Sequence, residues 1–417
     1  MDQTNRRMFL GALAAGGSLA AGGARAAESG PLKSGSAQAS PAQASPALDG
    51  HAAGADVAPD ATFLRTLPRK PGPAPVFTAS LDGGPIKATS GGWAREITAH
   101  QLPLATGIAG AHIFLDAGGV REMHWHASAE WGYIVAGHCQ ATVIDAAGEM
   151  EVVNFAPGDT WYFPGGHAHA IQTLGSEPCH AILAFDDGLF GEHGTFGLTD
   201  WMSRIDPAIL RGALGVPEAT LAALPAGETY IIQGPVVPRD GAVARAERPL
   251  PPERTHRFAL AGAPAMAEGA GCTMRMAPAR AFPVSSGMTG FLVRLAAGAV
   301  HAPHWHTRAN EWLYVVRGRT RVTLFGQDKH MAVAELGPGD CAYLPRSCGH
   351  SVESIGTETA EIVGVHDSGV TDETLLATWL ARVPRGMLAA NLGMEERMVA
   401  GFPPAARTFS RAGTNRP

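Results

Sequence analysis

Apolar and polar residues alternate along this chain in short runs, and helical periodicity is confined to two places. Residues 131–137 and 311–318 are rich in Trp, Tyr, Val and Ile, and they close at Gly137 and Gly318. Such residues favour the half-buried surface of a sheet. Residues 139–144 and 320–325 alternate and end in turn formers. Further strands are expected at 161–163, 181–185 and 361–365. Helical stretches are expected at about 200–224, broken by Pro207 and Pro217, and at about 372–399, broken by Pro384. Proline removes a helical N–H and clashes with the preceding turn. Short strands punctuated by Gly and Pro, with helices only behind them, imply an all-β fold of small barrels or jelly rolls with helical appendages.

The pattern is written twice. His124-Trp125-His126 with Glu130-Trp131 returns as His304-Trp305-His306 with Glu311-Trp312. Gly158-Asp159 with Tyr162 and Pro164 returns as Gly339-Asp340 with Tyr343 and Pro345. Leu198-Thr199-Asp200-Trp201 is similar to Leu376-Ala377-Thr378-Trp379. Two tandem domains follow, 61–240 and 241–417, each of ordinary size. Residues 242–252, dense in Pro and Arg, read as a surface connection. Ahead of the domains, Arg6-Arg7, an apolar stretch at 11–23 and Ala24-Arg25-Ala26 resemble a twin-arginine signal peptide at 1–26. Export, to the periplasm or beyond, is therefore expected. Replacing Arg6 and Arg7 by Lys should hold the precursor in the cytoplasm. Residues 27–60, rich in Ala, Ser, Pro and Gly, read as a disordered linker.

Composition narrows the function. The 52 Gly and 31 Pro suit a turn-rich β fold. A formal charge of −6 argues against a nucleic-acid partner. No apolar run reaches the length of a membrane span, about 20 residues. Five Cys argue against a disulfide scaffold. The 17 His are the unusual feature.

Their spacing points to metal. Residues two apart on a strand share a face, so His124 and His126 project together. Glu130 can join them if the strand bends or meets its neighbour, and His169 follows the turn at Pro164-Gly165-Gly166. His167 is a rival on the same face, and the pattern favours His169. Three imidazoles and a carboxylate hold a divalent ion and leave two octahedral positions open, suited to a chelating anion or a small acid with dioxygen. The second copy offers His304, His306, Glu311 and His350. Arg121, three residues before His124, is placed to pair with a substrate carboxylate. His112, His138, His180 and His330 read as structural or surface residues. Trp125 and Trp305 should point away from the metal and pack, and Cys348 reads as a buried inert thiol.

The chain resembles a pair of cupins. Gly118, His124, His126, Glu130 and Gly137 match the first cupin box, and Gly158, Pro164, Gly166 and His169 the second. The other copy matches at Gly298, His304, His306, Glu311 and Gly318, then at Gly339, Pro345 and His350, with Ser347 where Gly is usual. It is more closely similar to the bicupin oxalate decarboxylases, through 121–131, 161–164, 169–172, 185–190 and 195–201. That resemblance implies two tandem double-stranded β-helix domains with one Mn(II) in each, two per chain. It implies oxalate as substrate, dioxygen as co-catalyst, formate and carbon dioxide as products, and a homo-oligomer, trimer or hexamer. It makes Glu192, in Gly191-Glu192-His193-Gly194, the acid of a mobile lid, where the family carries Ser-Glu-Asn-Ser. The alternatives are an oxalate oxidase yielding hydrogen peroxide, a non-catalytic metal- or carboxylate-binding bicupin, and an iron dioxygenase. In the second copy His301 stands where Arg121 would, and 366–368 run straight into the helix. Gly364 stands where related proteins carry an acid, with Glu361 displaced along the strand. The chemistry is therefore expected at the first site.

Overall fold

The computed structural model describes residues 76–191, 194–326, 331–402 and 407–411. The expected signal and linker lie outside these residues, as do Glu192, His193 and His330.

Each copy is two facing antiparallel sheets, a jelly roll rather than one continuous closed barrel. In the first copy the seven-stranded sheet runs Arg257–Phe258, Thr160–Phe163, Glu130–Ala136, Cys179–Phe185, Ala109–Leu115, Gly92–Ile97, Ile86–Thr89. The six-stranded sheet runs Thr195–Gly197, Gly119–His126, His169–Thr173, Cys139–Ile144, Met150–Phe155, with Ile231–Gln233 also paired to Gly119–His126. The second copy repeats both orders. Alternation sends one face of each sheet inward, where Ile113, Ile134, Val143 and Ile171 form the first core and Val293, Val315, Val322 and Val352 the second.

The copies interlock. Thr78–Ser80, at the start of the first copy, pairs with Asp340–Leu344 of the second. Arg257–Phe258, at the start of the second, pairs with Thr160–Phe163 of the first. A third apolar cluster lies between them, with Trp131, Tyr133, Trp312 and Tyr314 fully or nearly buried. Trp131 lies against Gly290 and Trp312 against Gly110, and a Cβ at either glycine would come within 2.1–2.2 Å of the indole. Glycine at both positions is what lets the copies approach.

The helices fall into short pieces as the prolines require. Leu198–Arg204, Pro207–Leu214 and Glu218–Ala222 follow the first copy, with Pro207 opening its helix and the Asp206 side chain accepting from Ala208 N at 2.8 Å. Leu376–Arg382, Arg385–Leu392 and Glu396–Val399 follow the second. The second stretch therefore starts later than its pattern suggests. Thr374–Leu375 is strand, paired beside His304 and Trp305, because a neighbouring edge was available to take it. No described helix is long and apolar enough to cross a membrane.

Candidate metal centres

His124 and His126 end the strand Gly119–His126, and His169 begins the next, directly opposite His124. Glu130 is not on that sheet. The chain crosses at 127–129, and Glu130 opens a strand of the facing sheet. The centre thus lies between the two sheets, closed from both sides. One potential ligand atom from each of His124, His126, Glu130 and His169 lies within 4.8 Å of every other, and all four residues are buried. The second copy does the same with His304, His306, Glu311 and His350.

Hydrogen bonds orient the rings. Nδ1 of His124, His126 and His169 donates to the carbonyls of Glu122, Ser128 and His167 at 2.7–2.8 Å. That leaves each Nε2 as the inward atom. In the second copy Nδ1 of His304, His306 and His350 donates to Ala302, Asp372 and Cys348 carbonyls. Nε2 of His169, His304 and His350 is buried with no hydrogen-bond partner. Lone pairs left orphaned beside a buried carboxylate are costly unless a cation serves them, so both donor sets fit a divalent metal.

The electrostatics agree. Burial, and then the Arg121 guanidinium, hold His124 well below the ordinary imidazole pKa. Burial also lowers His169. Neutral imidazoles are what a metal needs. Burial pushes the Glu130 carboxyl up, but the His126 and His169 rings close to it outweigh that and keep it well below the usual range. In the second copy burial likewise holds His304 well below the ordinary value. His306 is the exception: burial opposes its charge, yet its contact with Glu311 at 2.9 Å raises it to about 9, so a metal binding there must displace a proton.

Arg121 sits in the same cavity as His124 and Glu130. Simple parity would turn it away from the histidines. A bulge reverses the parity: four residues, Arg121 to His124, oppose three, Ile171 to His169. The same bulge at 301–304 brings His301 inward. Arg121 donates to the Tyr230 carbonyl at 3.3 Å and stacks on that ring at 4.3 Å. Tyr230 holds φ at +59°, a strained conformation outside glycine, next to the site. Trp161 Nε1 donates to Glu130 Oε1 at 2.9 Å. Phe185 and Phe190, stacked at 3.7 Å, cover His126.

The structure brings His169, not His167, into the cluster, and His167 faces His256 at 3.1 Å. Trp125 packs on Phe196 and Trp201, and Trp305 on Trp379. Cys348 is buried. His112 is a buried structural residue outside both clusters, with neither ring nitrogen hydrogen-bonded. Other readings need correction. The second site is not without acids: Asp372 and Glu373 stand in the segment before Thr374–Leu375, with Glu373 Oε2 3.2 Å from His301 Nε2. Reading that segment as helix hid them. Glu361 instead pairs with Arg294 at 2.7 Å. His366 was also missed, although its alignment with Phe185 was a usable signal. Its Nε2 lies 3.3 Å from Glu311 Oε2.

Comparison with known proteins gives the same picture. The family model described as Cupin matches residues 80–221 and again 260–400. The chain is 34% identical over 306 residues to the oxalate decarboxylase OxdC of Bacillus subtilis, covering 73% of this chain and 78% of that one. A probable oxalate decarboxylase of Arthroderma benhamiae is 32% identical over 308 residues, with 73% and 75% covered. A solved structure of the Bacillus subtilis oxalate decarboxylase, from work on the electron paramagnetic resonance of its Mn(II) centres, superposes with a TM-score of 0.75. It is 28% identical and covers 82% of this chain and 90% of its own.

Proposed function

The chain belongs to the cupin family, on the two-copy branch of its oxalate decarboxylase relatives, and we propose that it converts oxalate to formate and carbon dioxide at its first centre. The observation that carries this reading is the buried Arg121 guanidinium beside the His124–Glu130 cluster in a small cavity of about 110 Å³. A buried guanidinium fork in a small pocket suits a small dicarboxylate.

His124, His126, His169 and Glu130 hold the metal, Mn(II) in this reading. When bound, it supplies a Lewis acid for a carboxylate oxygen and, with dioxygen, one-electron chemistry. Arg121 pairs with a carboxylate of oxalate and is itself fixed by Tyr230. Phe185 and Phe190 exclude water. The carbon–carbon bond breaks, carbon dioxide leaves, and the remaining carbon takes a proton from the Glu192 carboxyl, which solvent then restores. Formate departs, with one proton consumed per oxalate. Outside the cytoplasm, where the Arg6-Arg7 signal would take it, such an enzyme meets oxalate from the surroundings.

Glu192→Gln tests the assignment. Formate production from oxalate should fall by about 10²–10⁴ at unchanged metal content, with residual turnover shifted toward hydrogen peroxide. Undiminished formate would remove Glu192 from the reaction. A wild-type protein that forms peroxide in place of formate would make the chain an oxidase.

A further inference from the structure

The second centre opens into a different kind of cavity. Its volume is about 290 Å³, against 110 Å³ at the first. A water occupies about 30 Å³ of liquid, so the first holds a molecule of a few atoms. The second approaches the lower bound of pockets that hold ring-sized organic ligands, about 300 Å³.

The walls differ in charge. Lys87, Arg95 and Arg121 line the first cavity together with Glu96 and Glu130, with Glu228 at 2.8 Å from Lys87 and Glu122 at 3.7 Å from Arg121. Among the described residues lining the second there is no Lys or Arg, and Glu311, Asp372 and Glu373 are all there. His301, in the place of Arg121, is matched by Glu373 at 3.2 Å, so the pair adds no net positive charge in either state of the ring. A dianion gains nothing from such a wall and is repelled by its carboxylates. Much of the remaining lining is apolar, with Met266, Met274, Met276, Phe291 and Val293. Thioether side chains adapt to a flat ring and make favourable contacts at its edge. Asp372 adds an acceptor: Oδ2 takes the bonds from Thr307, while Oδ1 is buried with no partner. The site thus offers acceptors, a metal-ligand set and an apolar slot.

We propose that the second centre binds a neutral, ring-bearing molecule with adjacent hydroxyls, of the catechol class. The hydroxyls would face the metal centre and its carboxylates, and the ring the methionine wall. This assignment is independent of what the first centre turns over.

Catechol itself is the probe, titrated calorimetrically under argon into the metal-loaded full chain. One catechol should bind per chain, and saturating oxalate should not displace it. Val293→Phe, which narrows the slot, should weaken catechol at least tenfold at unchanged metal content and oxalate turnover. Should that variant not fold, Glu130→Gln separates the sites, because catechol binding should persist in it. Displacement by oxalate, loss of binding in Glu130→Gln, or no binding to the metal-loaded chain would each overturn the proposal.

Discussion

The two centres carry equivalent ligands and hold them by different means. In the first copy the outer partner of the ligand carboxylate is Trp161, on the strand to one side of Glu130. In the second, Ala342 takes that place opposite Leu313. The donor comes instead from the strand on the other side, where His366 replaces Phe185 opposite Glu311. Size is exchanged with it: Gly132 makes room for Trp161 in the first copy, and Leu313 fills the space above Ala342 in the second. Trp161 serves Oε1 of Glu130, the oxygen His126 does not touch, whereas His366 shares Oε2 of Glu311 with His306. The fold draws each carboxylate's further partner from whichever neighbouring strand can supply it. What the copies do not share is the charge around the ligands: Lys and Arg stand among the carboxylates of the first cavity, and neither lines the second among the described residues.

The largest expected difference concerns the ligand carboxylates. Glu130→Ala should lower kcat/KM for oxalate by roughly a thousandfold or more, since the centre then loses both a ligand and its countercharge. Glu311→Ala should leave oxalate turnover within about threefold, as distant sites act independently, while the chain loses a metal and melts earlier. A folded Glu311→Ala protein with its first-site metal intact and no activity would reverse the assignment of the two sites.

The outer partners come next. Trp161→Phe should weaken metal binding at the first centre by about 10–100-fold, and His366→Phe should do so only at the second. Competition with a chelator, read by metal analysis of each variant, checks this. A His366→Phe protein with both metals held as tightly as before would reduce His366 to packing.

The smallest effect is on stability and needs no metal. His112 in the first copy stands where the second has the fully buried Leu292. Burial, then His180, lowers His112 to about 4 despite Asp82 nearby. The ring is neutral in the folded protein at a pH where the unfolded chain, at 6.5, already takes a proton. Its contribution is therefore present above pH 6.5 and is lost as the pH falls toward 4. His112→Leu should remove that loss, about 2–3 kcal/mol by pH 4. Melting curves of both proteins from pH 7 to pH 4 should diverge as the pH falls, with the variant higher. Parallel curves would show that His112 stays protonated or finds a partner.

Much of this was legible along the chain. The paired His-Trp-His segments, their glutamates and the later His169 and His350 mark the ligands, because inward positions on strands recur at fixed spacing. Other features were hidden because they depend on neighbours distant in the chain. A bulge reverses the parity of Arg121 and His301, and no local pattern reports it. Asp372 and Glu373 looked like the start of a helix, since a strand only two residues long leaves no periodicity.

The sequence by itself determined a doubled all-β chain and its ligand types, because strand alternation and motif spacing are local and written twice. Tertiary structure alone decided the rest. It placed Glu130 and Glu311 on the sheets facing their histidines, threaded the first strand of each copy into the other, and set an acidic, methionine-walled cavity around the second centre. Those outcomes depend on which strand edges meet, and edges distant in sequence meet only when the whole chain has folded.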